Sequence, residues 1–242
     1  MKDKRTEKFT MSTILVLVIL TAFFMTGCSG HKPLTLMPTP IIYQKSGIDP
    51  FAHLAPAQKN TTTQVFYATN RTPDFIGDKT GYGNTVDSNI HLGKATIRLG
   101  DSITDWDSIY KSSVSIEQTE PIPIKVDKII EQAVMPGDGI QQNFDLTPQQ
   151  QEFVNTINLE LSEAVDKEIM IYVHGTKVDF SNSLILAAEI DHFAGRDFIG
   201  LAFAWPSHQN ILSYMTGTDV RRALNSSPAL QNLIILLSEH TT

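Results

Sequence analysis

Apolar and polar positions alternate along this chain in several distinct rhythms. Residues Ile14 to Met25 form an apolar stretch, interrupted only by Thr21, behind Lys2, Lys4, Arg5 and Lys8. It holds about a dozen residues, against the ~20 that a membrane-spanning helix needs, so it reads as the core of a secretion signal. From Ser29 to about Asn60 no rhythm persists, and Pro33, Pro38, Pro40, Pro50 and Pro56 interrupt the chain. Proline fixes φ and removes a backbone donor, so this stretch is expected to be an extended tether. The pattern thus divides the chain into a signal at 1–27, a tether at 28–61 and a folded domain at 62–242.

Within the domain the rhythm moves between strand and helix. Gln64 to Thr69 is rich in β-branched and aromatic residues and is expected to be a strand, ending at a turn over Asn70-Arg71-Thr72-Pro73. Ala95, Ile97 and Leu99 alternate with Lys94, Thr96 and Arg98, the period of a half-exposed strand. Residues 101–145 carry little pattern and are expected to form an insertion or cover. Thr147, Pro148 and Gln150 make a capping box, and Phe153, Val154, Ile157, Leu161 and Ala164 follow at helical spacing, predicting a helix to about Lys167. Ile169 to Val173 is a continuous apolar run, as in a parallel strand covered on both faces. A helix capped by Ser181 and closed by Gly195 leads to a further apolar strand, Phe198 to Trp205. Ser227-Pro228 then opens a helix with a Leu230, Leu233, Ile234, Leu237 stripe. Strand-helix alternation of this kind specifies an α/β fold with a mostly parallel sheet flanked by helices.

Composition narrows the function. With 41% apolar and 19% charged residues over 242 positions, the chain buries a core. The net charge is -7, and loss of the signal would leave 15 basic against 24 acidic residues, about -9. No basic run lies beyond the first eight residues, which argues against nucleic acid as a partner. The one cysteine, Cys28, excludes intrachain disulfides and Cys-rich metal sites. The histidines fall into no H-x-x-x-H or H-x-H spacing, and no G-x-x-x-x-G-K loop is present, so neither metal nor cofactor is expected.

The order of basic residues, apolar core and Met25-Thr26-Gly27-Cys28 resembles a bacterial lipobox. The resemblance implies cleavage before Cys28, acylation of that cysteine, and a lipid bilayer as the first partner. The expected location is the cell envelope, and Ser29 in place of Asp resembles an outer-membrane sorting signal where there are two membranes.

Candidate chemistry lies at strand ends. In open α/β sheets the reactive crevice is at the carboxyl ends of the strands, and the run Ile169 to Val173 ends in His174-Gly175-Thr176. Together with Val65 to Arg71, Ala204-Trp205-Pro206-Ser207, Tyr214 and Asp219, these motifs resemble an α/β-hydrolase-like family of bacterial lipoproteins, domain of unknown function 900. The resemblance spans about Thr62 to Leu237. It implies an oxyanion hole at His174, Gly175 and Thr176, with the Thr176 amide as donor and a small ester as the class of substrate. Packing and chain termination account for Trp205 and Pro206 more simply than a substrate role, and His174 reads as a loop-fixing hydrogen bonder.

No G-x-S-x-G nucleophile elbow occurs in the sequence. The expectation is therefore a hydrolase-like domain cut short before the elbow strand, without a catalytic triad and inactive, whose Ile169 to Val173 strand offers an open edge for self-association. Two other readings stand beside it. Gly100-Asp101-Ser102-Ile103-Thr104 resembles the nucleophile block of GDSL esterases with Ser102 as nucleophile, although the G-x-N-D and D-x-x-H blocks of that family are absent. The third reading is a noncatalytic envelope-binding lipoprotein.

Overall fold

A computed structural model describes residues 34–74, 80–115, 120–141 and 145–242. The expected signal and Cys28 lie outside the described residues. A five-stranded sheet organises the rest, built from β1 (Thr62–Pro73), β2 (Tyr82–Leu99), β3 (Ile124–Pro136), β4 (Ile169–Val173) and β5 (Ile199–Phe203) in the order β3-β2-β1-β5-β4. β1 pairs with β5 and β5 with β4 in parallel, whereas β2 is antiparallel to both of its neighbours. Four of the five strands therefore run in one direction, which is the mostly parallel α/β sheet that the pattern predicts, and it is consistent with the α/β-hydrolase-like fold that the resemblance implies.

Alternation along the central strands fills two cores, one on each face. Phe66 and Ala68 of β1 and Leu201 and Phe203 of β5 join Phe153, Val154, Ile157 and Leu161 of α3 (Pro148–Glu163) and Leu233, Leu236 and Leu237 of α7 (Ser227–His240). On the other face Val65 and Tyr67 join Ala202, Ala204, and Phe180, Leu184, Ala187 and Ala188 of α4 (Phe180–Phe193). Because successive strand side chains point to opposite faces, a strand apolar at every position must be covered twice. β5 is buried throughout. β4 is not: Ile169 to Tyr172 are half-buried and Val173 is exposed, since among the described residues it pairs only with β5.

Several elements depart from the sequence pattern. β1 does not turn at Asn70 but continues to Pro73, with Thr69, Asn70 and Arg71 buried. Residues 101–145 contain α2 (Trp106–Val114) and the edge strand β3. Register shifts at Leu92/Gly93 and Thr96/Ile97 break the period of β3 against β2, which hides the strand from a period-2 reading. α4 starts at an Asp179 cap, its carboxylate accepting from the Asn182 amide at 2.7 Å, so that Ser181 lies in the first turn.

Residues 34–61, expected as a tether, lie against the domain. Phe51 and Leu54 are buried, Thr39 donates to the Ser112 carbonyl at 2.9 Å, and the Met37 amide donates to Glu189 at 2.7 Å. Phe51 packs edge-on to Trp106 at 5.4 Å between centroids. A bulky aromatic inserted among rings gains more by burial than an extended proline-rich chain loses in freedom, and composition alone does not reveal it. No helix of the described residues is long and apolar enough to cross a membrane.

Candidate active site

The carboxyl ends of β1, β4 and β5 converge on one cluster of buried polar side chains, assembled from motifs far apart in sequence. Arg71 is at its centre, only 1% exposed. Its guanidinium reaches the carbonyls of Ala204 through Nε at 3.2 Å, Gly83 through Nη1 at 3.0 Å and Val178 through Nη2 at 2.8 Å. Burial holds its pKa down to about 10, the Asp179 carboxylate working in the opposite direction. A planar fork of donors suits several fixed carbonyls, and so ties the ends of β1 and β5, the start of β2 and the loop after β4 together.

His174, at the end of β4, stacks on Trp205 with ring centroids 5.1 Å apart and planes 8° from parallel. The Trp205 indole N–H donates to the His174 carbonyl at 2.7 Å. The imidazole Nδ1 lies 2.6 Å from the Gly175 carbonyl, and Nε2 lies 3.0 Å from the Trp205 carbonyl and 3.5 Å from Arg71 Nη2. Burial, assisted by the Arg71 charge, pushes its pKa down to about 4, although both carbonyls favour the charged ring. The ring is neutral at pH 7 and has one N–H to give. That N–H can serve only one of the two carbonyls, Gly175 from Nδ1 or Trp205 from Nε2. His174 is 3% exposed, and its atoms are committed to holding the loop.

Beyond His174 the chain turns with Lys177 in the left-handed region at φ 63°. Gly175 is exposed, and a Cβ added there would meet nothing within 4 Å. Neither crowding nor backbone conformation calls for glycine at this position, which faces open space. The Thr176 amide has no acceptor among the described residues. Its hydroxyl donates to Asp219, which is 1% exposed and also accepts from the His208 amide at 3.1 Å. Asp219 sits in α6 (Thr218–Asn225), which follows the short α5 (Ile211–Met215). Ser207, fully buried, donates to the Val178 carbonyl at 2.7 Å and accepts from the Val178 amide at 3.2 Å, closing the loop from below.

Residues 149–242 match the family described as alpha/beta hydrolase of unknown function (DUF900). The match runs from α3 to α7 and contains His174, Gly175, Thr176, Trp205, Ser207 and Asp219. Arg71 and the first three strands lie outside it. No curated protein and no solved structure matches the chain.

The structure brings the His174-Gly175-Thr176 loop together with Arg71, Trp205, Ser207 and Asp219, whereas Tyr214 stays exposed at 54%. Arg222 was not legible as a member, yet its Nη1 donates to the Pro206 carbonyl at 3.1 Å and also reaches the Asn84 carbonyl. Nothing in an exposed amphipathic helix marks one arginine of a pair as the bridging one. Ser102 is elsewhere. It is exposed and follows the end of β2, which pairs with the start of β1, so it lies at the opposite end of the sheet from Thr176. Around it, Asp101 accepts from the Ile103 and Thr104 amides at 3.0 and 3.1 Å in a local turn before α2. His192 is committed to Ser113 at 2.8 Å and is fully buried. No group of three or more His, Cys, Asp or Glu among the described residues could hold a metal ion.

Proposed function

We propose that this protein is an envelope lipoprotein, anchored to a bilayer through Cys28, whose α/β-hydrolase-like domain binds the oxygen of a small ester or related carbonyl ligand at the Thr176 amide without itself forming an acyl-enzyme. The observation that carries the reading is the Thr176 amide, unpaired beside the open face of Gly175, with its residue fixed through the hydroxyl to buried Asp219. A donor held in place before the ligand arrives stabilises developing negative charge without reorganisation. Acyl transfer needs in addition an activated nucleophile, and the 242 residues hold no G-x-S-x-G elbow. The basic start, apolar core and lipobox support the anchor.

The reading is tested by treating the full chain with a fluorophosphonate probe, which tags only activated serines. Absence of a labelled serine is expected. Labelling that Ser102→Ala abolishes would overturn the reading in favour of a GDSL-type esterase, and labelling at any other serine would overturn it in favour of a different nucleophile.

A further inference from the structure

The lipobox cysteine and the first residue of the folded domain are close neighbours in the chain. Leu34 is already part of the domain: its carbonyl accepts from the Ile124 amide at 2.8 Å, the Leu36 amide donates to the Ile122 carbonyl at 2.8 Å, and Thr35 pairs with Pro123. Cys28 precedes Leu34 by six residues. A fully extended chain spans at most ~3.6 Å per residue, so no more than about 20 Å separates the two. A 209-residue body of ordinary compactness has a radius of gyration of roughly 17 Å and is therefore broader than this leash.

The attachment point also has a defined place on the sheet. Ile124 opens β3 and pairs with Leu99, the end of β2, and the Leu99 amide donates to the Thr61 carbonyl just before β1. Leu34 is thus at the amino-terminal end of the parallel strands, opposite the His174-Gly175-Thr176 loop. At that same end α1 (Ile41–Ser46) has no buried residue. Ile41, Ile42 and, just beyond the helix, Ile48 are 65%, 56% and 53% exposed, with Lys45 among them. Tyr43 of the same helix donates to the carbonyl of Phe193, the last residue of α4, fixing α1 to that end of the domain. Ile103, at this end too, stands between Asp101 and Asp105 and is left out of the patch.

We infer that Ile41, Ile42 and Ile48 form a lipid-contacting patch, so that the domain sits on the bilayer by its amino-terminal strand edge and its Thr176 loop faces away from the membrane. The inference rests on acylation of Cys28. Apolar side chains beside a cation are the composition that settles at a headgroup boundary, and the short leash keeps them there at high local concentration. A second exposed apolar group, Ile211, Leu212, Tyr214 and Met215 on α5, follows the end of β5 and lies at the opposite end, where a leash of about 20 Å does not carry it to the lipid.

The chain has no cysteine besides Cys28, so once that residue is acylated a single introduced cysteine is the one free thiol. Full-length Ile42→Cys, Ile48→Cys and Leu212→Cys chains would be produced with lipoprotein processing. Each would be labelled with an environment-sensitive fluorophore and reconstituted in phosphatidylethanolamine and phosphatidylglycerol vesicles containing a nitroxide lipid. Quenching at 42 and 48 at least twofold stronger than at 212 is expected. Quenching at 42 and 48 less than twofold stronger than at 212, or none at 42 and 48, in protein whose Cys28 is shown acylated by mass spectrometry, would overturn the orientation alone. A mass showing free Cys28 or an intact Met1 terminus would overturn the anchoring on which it rests.

Discussion

Trp205 and His174 hold one another twice, by a stack with ring centroids 5.1 Å apart and by a 2.7 Å hydrogen bond from the indole N–H to the histidine carbonyl. The pair joins the ends of β4 and β5, and it fixes the direction in which the following Gly175-Thr176 backbone leaves the sheet. Trp205→Phe keeps an aromatic ring over the imidazole and deletes the donor. A buried carbonyl left without its partner costs about 1–3 kcal/mol. Urea unfolding should show a loss in that range with an unchanged slope, and a loss below about 0.5 kcal/mol would mean that the carbonyl finds another donor.

The same loop gives a contrasting prediction at Gly175. Since a Cβ there meets open space, Gly175→Ala should leave the melting temperature within about 2 °C of the parent, no more than the effect of 1 kcal/mol on a domain of this size. If the Thr176 amide is a ligand site, the same change should weaken binding of a carbonyl-bearing ligand by about tenfold or more, which isothermal titration would read. Loss of stability without change in binding would assign Gly175 a structural role instead.

How legible this site was in the sequence depends on the kind of residue. Thr147, Pro148 and Gln150 sit where their capping box requires, because a cap is decided by neighbours three residues apart. β5 was equally plain, being apolar at every position. The run Asn70-Arg71-Thr72-Pro73 misled because its polarity resembles a turn, yet Arg71 is buried by the carbonyls of Gly83, Val178 and Ala204. Its partners are at least 12 residues away, so no local pattern records them. The 34–61 stretch misled in the opposite sense. Its prolines are real, but Leu54 is buried and Phe51 anchors the stretch between α2 and α4 through ring contacts made only in three dimensions.

Arg71 yields a prediction of its own. Lys in its place keeps the charge but presents one point donor group where three carbonyls are served by a fork. Arg71→Lys should cost about 2–4 kcal/mol, because carbonyls are left unpaired and a buried ammonium is incompletely solvated by the protein. Chemical denaturation is the direct measure, and a variant as stable as the parent would show that water takes over the vacated bonds.

Gly93 lies at a register shift between β2 and β3, and a Cβ there would lie 2.1 Å from the Ile130 carbonyl oxygen and 2.6 Å from the Tyr67 ring. The carbonyl belongs to the paired strand and cannot move alone. Gly93→Ala should therefore destabilise by about 3 kcal/mol, the upper part of the range for overpacking, or prevent soluble expression. Gly139→Ser offers a contrast, since its Cβ would meet nothing within 4 Å and only its positive φ of 69° is at stake.

Asp191 connects burial to pH. Its side chain is 4% exposed and accepts from the Thr63 hydroxyl at 3.1 Å, and burial raises its pKa from an ordinary 3.8 to about 7. The folded chain thus keeps a proton on Asp191 where the unfolded chain has lost it. The associated stability is fully present below pH 3.8 and is lost as the pH rises through 7. His174 and His192 act in the opposite sense, since burial takes them from 6.5 to about 4 and about 3. Their contribution is present above pH 6.5 and disappears as the pH falls through the folded values. Asp191→Asn removes the first effect and leaves the second. The stability of the parent relative to the variant should then decline between about pH 4 and 7, by up to about 1.4 kcal/mol per pH unit, and level off above 8. Urea midpoints at half-unit steps from pH 4.5 to 8.5 measure the difference. A difference that stays constant across that range would show Asp191 ionised in the folded domain, with the Arg196 charge outweighing the burial that opposes it.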